Sequence, residues 1–324
     1  MPSRQLFHPE RFQGFARKRS YFEGWYFKIA VGSPEQETLA LIPGISISDD
    51  GSDRHAFIQV ISSTEQKSWY IPFSYGSFTT VNNPFQVHID GNIFSQTNLS
   101  VHLKTTDLIL DAELSFTDIH PFPVTLTSPG IMGWYAYVPG MECLHGVVST
   151  THTVEGSMTI NNRSMSLREA KGYIEKDWGT SFPSAWIWMQ ANCFPTKDLS
   201  AMLSIAKIPF ARHTFLGFLG FIQLPDRLIR FATYTKATIV SLTTTEETAS
   251  VTIQTKKYIL RFNAHLGASS KLAAPRNGSM NRTIRESVAG SLELTIADRA
   301  NTILLHETSN LAGIEISEAA SLMD

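Results

Sequence analysis

The clearest pattern of hydrophobic and polar positions along the chain lies in residues 85–116. Apolar side chains occupy every second position in three successive stretches, at residues 85–89, 99–103 and 108–116. A period of two is the repeat of a β-strand with one buried face, because successive side chains point to opposite sides of the sheet. Asp90-Gly91-Asn92 follows the first stretch and has the composition of a tight turn. The pattern predicts a meander of three strands.

Strand signals dominate the rest of the chain as well. Residues 21–31 are rich in aromatic and β-branched side chains, and the apolar runs 39–48 and 56–62 flank a polar turn. Asn161-Asn162-Arg163 looks like the tip of a further hairpin. Alternation returns in four later stretches, at residues 237–242, 249–255, 258–264 and 291–297. We therefore predict an all-β chain.

Parts of the sequence are echoed about half a chain length later. Tyr21-Phe22-Glu23-Gly24-Trp25 is similar to residues 173–178, Trp25-Tyr26-Phe27-Lys28 to residues 186–189, and residues 56–60 to residues 220–224. Chance matches between β-rich segments are the alternative explanation. The echoes predict two similar β lobes, residues 1–165 and 166–324, with a boundary known to within about 15 residues.

Composition narrows the class of protein. The chain has 324 residues, of which 43% are hydrophobic and 17% charged, so it can bury substantial cores. A formal net charge of −2 gives no general attraction for nucleic acid or an anionic membrane. Two cysteines, Cys143 and Cys193, cannot build a disulfide framework, which is typical of a reducing compartment. The sequence shows no secretion signal or membrane span, so we expect a cytoplasmic protein without stable membrane insertion.

Common catalytic motifs are missing from the sequence. There is no Gly-x-Ser-x-Gly elbow, no phosphate-binding loop and no dinucleotide fingerprint. Cys143, His145 and His152 are a weak candidate for a metal site, because the histidines of this chain are scattered. We expect neither a metal nor another cofactor.

Residues 172–192 combine carboxylates with large aromatic side chains. Glu175 and Asp177 flank Lys176, and three tryptophans follow within the same stretch, Trp178, Trp186 and Trp188. A carboxyl group in an apolar pocket has a raised pKa, so it can hold a proton and deliver it to an alkene or a carbonyl. Aromatic faces can then stabilise the resulting cation. The alternative is a structural turn in which Lys176 pairs with a carboxylate and the tryptophans belong to a core.

Residues 130–146, with a glycine at each end, are a second candidate for the wall of a ligand pocket. This stretch holds Trp134, Tyr135, Glu142, Cys143 and His145. Tyrosine, glutamate and histidine are side chains that relay protons. A buried histidine with satisfied hydrogen bonds is the alternative reading of His145.

These stretches resemble the tocopherol cyclase family, and its shorter bacterial members more than the plant enzymes. The resemblance rests on residues 21–28, on residues 141–147 and above all on Tyr173-Ile174-Glu175-Lys176-Asp177-Trp178-Gly179, followed by Phe182-Pro183 and residues 186–190. It covers roughly residues 20–225. The resemblance implies two similar lipocalin-like lobes, barrels or sandwiches, packed together. It also implies a hydrophobic ligand and a ring closure on a prenylated quinol without a redox cofactor.

We expect an isomerase-type cyclase that acts on a prenylated quinol or a related hydrophobic isoprenoid in a pocket between the lobes. Glu175 or Asp177 is the predicted acid, and Glu23 or His145 is the predicted base. The predicted ligand-binding residues are Trp25, Tyr135, Glu142, Trp178, Trp186, Trp188, Gln190 and Asn192. A non-catalytic carrier of a lipid or quinone is the main alternative, and hydration or cycloaddition in the same kind of pocket is a third. The sequence does not predict the oligomeric state.

Overall fold

The protein is all-β, as its sequence predicts. The structure, a computed structural model, describes residues 2–32, 36–210 and 213–322. These residues form twenty-one strands and no α-helix, and the only other regular elements among them are five short 3-10 turns, Pro2–Phe7, Tyr75–Ser77, Gly133–Tyr137, Thr233–Thr235 and Ala319–Leu322. No helical segment in this part of the chain is long and apolar enough to cross a membrane.

The first sheet contains eleven strands. They are β1 (Tyr21–Val31), β2 (Glu37–Ile47), β3 (Arg54–Ser62), β4 (Lys67–Ser74), β5 (Phe78–Asn82), β6 (Phe85–Ile89), β7 (Asn92–Ser95), β8 (Asn98–Lys104), β9 (Ile109–Pro121), β10 (Cys143–Ile160) and β11 (Arg163–Gly179). Their spatial order is β4-β3-β2-β1-β11-β10-β9-β8-β7-β6-β5. The last strand of this sheet in chain order, β11, therefore lies between β1 and β10.

The second sheet repeats this arrangement. Its strands are β12 (Trp186–Ala191), β13 (Ser200–Phe210), β14 (His213–Gln223), β15 (Leu228–Ala232), β16 (Thr238–Thr244), β17 (Thr248–Gln254), β18 (Tyr258–His265), β19 (Ser270–Arg276), β20 (Ser279–Asp298) and β21 (Ile303–Ser317). Their order is β15-β14-β13-β12-β21-β20-β18-β17-β16, with β19 beside β20. In both sheets the first strand pairs with the second and with the last, which confirms two similar lobes.

The strand positions correct two of the echoes read from the sequence. Residues 56–60 and 220–224 do correspond, because residues 56–60 and 220–223 lie on the third strand of each sheet, and Ile58 and Ile222 both face their own core. Residues 21–25 and 173–178 lie instead on neighbouring strands of one sheet, β1 and β11. Trp25 faces the first core, whereas Trp186 lies opposite the core residues of β12, so that match is out of phase by one residue.

Each sheet has its own hydrophobic core. The alternating residues 85–116 all face the first core as predicted, although the structure adds the short strand β7, whose four residues are too few to show a period. By contacts the chain forms two compact units, one of Met1–Ile61, Ser68–Phe182 and Leu272–Thr283, the other of Ser62–Lys67, Pro183–Lys271 and Ile284–Asp324. The division into lobes 1–165 and 166–324, with its boundary near residue 165, stays a prediction.

Candidate active site

Strand β11 sends chemically active side chains to both faces of the first sheet. Successive residues of a strand alternate between faces. Ile174 and Trp178 belong to the core side, and Lys176 shares that side with them. Glu175 and Asp177 therefore point to the opposite face. The three residues Glu175-Lys176-Asp177 thus contribute to two separate clusters, one on each face of the sheet.

On the face opposite the core, His145 lies between two carboxylates. His145 of β10 is the register partner of Asp177. Its Nδ1 is 2.9 Å from Oδ1 of Asp177, and its Nε2 is 3.4 Å from Oε2 of Glu175. The second contact is an ion-pair contact without hydrogen-bond geometry, and Nε2 is buried without a hydrogen-bond partner among the described residues. Three of the four predicted catalytic residues are therefore brought together.

The two carboxylates keep a proton on His145. Burial by itself lowers the pKa of this imidazole, but the negative charges of Asp177 and Glu175 outweigh it and raise the pKa to about 10. The side chains are mostly withdrawn from water, with exposed fractions of 12% for His145, 6% for Glu175 and 25% for Asp177. The imidazole is consequently an imidazolium at neutral pH.

Two further polar side chains border this cluster. The hydroxyl of Tyr173 donates to Oε2 of Glu175 at 2.6 Å. Burial, and then the charge of Glu175, raise the pKa of Tyr173 well above its usual value, so the phenol stays protonated. The thiol of Cys143 lies 3.8 Å from Oδ1 of Asp177, and burial raises its pKa well above the usual range. Cys143 is therefore a neutral neighbour and not a thiolate.

On the core face, Lys176 pairs with Glu23. Nζ of Lys176 is 2.6 Å from Oε1 of Glu23, and both side chains are completely buried. Glu23 also accepts hydrogen bonds from the hydroxyl of Tyr21 at 2.5 Å and from the backbone N–H of Gln13 at 2.9 and 3.0 Å. Lys176 donates in addition to the carbonyl of Arg11. The lysine thus neutralises Glu23, whereas Glu175 and Asp177 contact His145.

Two of the predicted aromatic walls surround this lysine. Nζ of Lys176 lies 4.8 Å from the ring centroid of Trp25 and 4.6 Å from that of Trp178. Cation–π contacts of this kind stabilise a buried ammonium group. These rings lie on the core side of the first sheet, as Glu23 does. The sheet therefore separates Glu23, Trp25 and Trp178 from His145.

The other predicted ligand-binding residues are spread over both units. Tyr135 stacks on Trp134 in the turn Gly133–Tyr137, and Glu142 is an exposed residue whose carbonyl accepts the N–H of Thr180 at 2.8 Å. Trp186, Trp188 and Gln190 lie in the second unit, buried on the face of β12 opposite its core, and Asn192 is buried just after that strand.

Sequence reasoning missed three residues next to the predicted ones. Tyr173 orients Glu175, and Tyr26 of β1 is the register partner of Glu175. In the second unit Glu315 accepts a hydrogen bond from Nε1 of Trp186 at 2.5 Å. The spacing Tyr-x-Glu was a usable signal for Tyr173, because residues two apart share a strand face. No signal in the sequence pointed to Glu315.

The same cluster also bears on metal binding. His145, Glu175 and Asp177 each offer one ligand atom, all within 4.8 Å of one another. A metal ion needs a single imidazole nitrogen and both carboxylates directed at one point. Here the two ring nitrogens face different carboxylates, and this arrangement fits a hydrogen-bonded imidazolium better than a metal ligand.

Comparisons with known proteins identify the family of the chain. The sequence profile of the tocopherol cyclase-like family matches residues 113–318. The chain belongs to this family. The matched region holds His145, Tyr173, Glu175 and Asp177 and continues through β21, further than the resemblance read from the sequence, whereas residues 21–28 lie outside it.

Individual relatives match this family member over short segments. A probable chloroplastic tocopherol cyclase of Oryza sativa is 33% identical over 76 residues, which are 22% of this chain and 15% of the rice protein. The chloroplastic tocopherol cyclase of Zea mays is 30% identical over 74 residues, 23% of this chain and 16% of the maize protein. The matched segment thus spans about a sixth of each curated relative.

Solved structures support the fold. A putative AttH from Nitrosomonas europaea superposes with a TM-score of 0.53 at 11% identity, over 91% of this chain and 92% of its own. Kievitone hydratase from Nectria haematococca has a TM-score of 0.52 at 13% identity, over 91% and 89%. At such identities the likeness concerns the fold alone.

Proposed function

We propose that this protein closes a ring on a prenylated quinol or a related hydrophobic isoprenoid by proton-initiated cyclisation. The observation that carries the proposal is the buried imidazolium of His145 between Asp177 and Glu175. Membership of the tocopherol cyclase-like family supports the reaction class. The substrate and its pocket belong to the proposal.

The proposed acid is Glu175. Nε2 of His145 lies 3.4 Å from Oε2 of this carboxylate, so its proton can shift to the carboxylate once the groups approach. A carboxylic acid is a stronger proton donor than an imidazolium, because its ordinary pKa is lower by about two units. Protonated Glu175 can then deliver the proton to the alkene carbon of the prenyl chain.

The proposed base is His145. Protonation of the alkene forms a C–H bond and leaves a tertiary cation, which the phenol oxygen of the quinol attacks to form the C–O bond. The phenolic proton passes to Nε2 of neutral His145, and this restores the imidazolium and the Glu175 carboxylate. Asp177 accepts a hydrogen bond from the N–H of Nδ1 at 2.9 Å throughout and so fixes the ring and its tautomer.

No oxidant or reductant takes part in these steps, and substrate and product have equal mass. Tyr173 holds Oε2 of Glu175 at 2.6 Å, which limits the directions in which the acid can donate. Burial of the cluster keeps water away from the cation, which would otherwise be hydrated. Each role thus rests on a contact of the side chain concerned.

The experiment incubates the purified protein with a prenylated hydroquinone in deuterated water. We expect a ring-closed product that carries one deuterium on carbon. Glu175→Gln should lower turnover by about a thousandfold or more while binding stays nearly intact, since a general acid contributes about 10²–10⁴. Glu155→Gln is the matched control, because it removes one exposed glutamate charge from the neighbouring strand β10.

Three results would contradict the proposal. A product heavier by one water would indicate hydration. Stoichiometric binding without conversion, insensitive to Glu175→Gln, would indicate a carrier. Equal turnover by the Glu175→Gln variant would reject Glu175 as the acid even if the ring closes.

A further inference from the structure

A segment of the first unit exposes apolar side chains within a run of twenty uncharged residues. Residues 122–142 connect β9 to β10, and Glu142 at the end of the connection is its single charged residue, because none of residues 122–141 is Asp, Glu, Lys, Arg or His. Leu126, Trp134 and Tyr137 of this segment are exposed by 79%, 51% and 47%. Connecting segments are normally polar where they meet water. This one therefore differs from an ordinary surface loop, and we call it the uncharged loop.

Contacts within the loop hold each of these exposed side chains in place. Thr125 and Ser128 form a two-residue hairpin through backbone hydrogen bonds of 3.0 and 3.1 Å, so Leu126 stands at its tip. The hydroxyl of Tyr137 donates to the carbonyl of Leu126 at 2.6 Å. The ring of Trp134 stacks on Tyr135 with a centroid distance of 4.3 Å.

The loop is also fixed to the body of the unit. Phe122, Ile131 and Met132 are buried, with exposed fractions of 4%, 0% and 7%. These three apolar side chains of the loop are packed inside the folded unit. Leu126, Trp134 and Tyr137 are left outside that packing, so the fold presents them to solvent in a defined arrangement.

We propose that the uncharged loop docks the protein on the surface of a lipid bilayer. Tryptophan and tyrosine prefer the boundary between headgroups and acyl chains, where an apolar ring and a polar N–H or O–H are both accommodated. Leucine adds apolar area that can enter the acyl region. The absence of basic residues in the loop and the net charge of −2 favour an uncharged lipid surface over an anionic one.

This docking is peripheral and reversible, because so few side chains cannot anchor a protein firmly. It goes beyond the proposed reaction and rests on the loop alone. A water-insoluble isoprenoid dissolves in bilayers, so docking would bring the protein to where such a substrate is concentrated.

The test is flotation of the full-length protein with phosphatidylcholine vesicles in a sucrose gradient. We expect the wild type to float with the vesicles. The double variant Leu126→Ser, Trp134→Ser should bind the vesicles more weakly by about tenfold or more, because two large side chains are no longer buried in lipid. The matched control is Ile303→Ser, Leu304→Ser, which removes two large side chains of comparable exposure, 62% and 55%, from the second unit. The control should float like the wild type.

Several results would overturn the proposal. They are a wild type that stays unbound, a control that loses as much binding as the loop variant, and binding only to anionic vesicles. Size-exclusion chromatography gives one more, because a dimer that the loop variant turns into a monomer would make the loop a contact between two copies. Unfolding temperatures of both variants should equal that of the wild type, since the side chains are exposed. Flotation does not depend on catalysis, so its failure is distinct from failure of the proposed reaction.

Discussion

Nζ of Lys176 lies 2.6 Å from Oε1 of Glu23, on the side of β11 opposite to Glu175 and Asp177. One strand thus carries an ion pair in the core and the acid–base cluster on its other face. Burial raises the pKa of Glu23 and lowers that of Lys176, and each partner offsets part of the other's shift. The pair joins β1 to β11 and to the backbone of Arg11 and Gln13, so it fixes the strand from which the candidate site projects.

Removing one partner of this pair should be strongly destabilising. Lys176→Met leaves Glu23 buried with no positive partner, and we expect a loss of about 3–5 kcal/mol in the free energy of unfolding. Glu23→Gln together with Lys176→Met removes both charges and should cost much less than the sum of the single changes. Denaturant unfolding of the four proteins measures the coupling. Additive losses would mean that the two side chains do not stabilise each other.

The imidazolium of His145 should make stability depend on pH. Its pKa is about 10 in the folded protein and near 6.5 when unfolded, so folding favours the protonated form. The contribution is complete below about pH 6.5 and is lost as the pH rises towards 10, by roughly 3–5 kcal/mol in total.

His145→Gln isolates this contribution, because other groups titrate in the same range. The difference in unfolding free energy between wild type and variant should shrink steadily from pH 6.5 to 10. A difference that stays constant would show that His145 has an ordinary pKa. A difference that grows would show the opposite shift.

The sequence predicted the features of the fold that depend on neighbouring positions and missed the pairing of strands that are distant in the chain. Alternation in residues 85–116 revealed strands and their core face, because both depend on neighbours two positions apart. The pairing of β1 with β11 joins residues about 150 positions apart, and no local pattern encodes it. The similarity between residues 21–25 and 173–178 therefore suggests a repeat between lobes, although the two segments lie on paired strands of one sheet.

The same limit applies to the site. Glu175, Asp177 and His145 were found because their residue types and their motif pointed to proton chemistry. The sequence left open which carboxylate Lys176 would neutralise, since alternation assigns a face but not a partner across strands. The structure answers this with Glu23. The same limit explains Trp25 and Trp178, which were expected to line a ligand pocket. Alternation did not identify Lys176 as the group that they contact.

Tyr173 should matter for turnover, whereas Tyr21 should matter only for stability. Both donate to a glutamate two residues further on, Tyr173 to Glu175 at 2.6 Å and Tyr21 to Glu23 at 2.5 Å. A hydrogen bond to a charged group is worth about 1.5–3 kcal/mol, so Tyr173→Phe should lower kcat by about 10- to 100-fold. Tyr21→Phe is the matched control on the core face. Comparable kcat values for the two variants, measured under folded conditions, would contradict a role of Tyr173 in positioning the acid.

Gly172 should not tolerate a side chain, because the ring of His152 occupies the space above it. A Cβ at Gly172 would overlap Nε2 of His152. This ring cannot move easily, since Nδ1 lies 3.0 Å from the hydroxyl of Ser149 and the ring packs 4.5 Å from Phe116. Burial also lowers the pKa of His152 to about 3, so the ring is neutral and stays in the core.

We expect Gly172→Ala to lower the unfolding free energy by about 2 kcal/mol or more, as for other overpacked cores. Gly24→Ala is the control in the same sheet, because its Cβ would meet the nearest atom at an ordinary 3.5 Å. His152→Ala combined with Gly172→Ala should recover part of the loss, since the overlap is then gone. Equal stabilities of the two single variants in denaturant unfolding would mean that the His152 ring can move aside without cost.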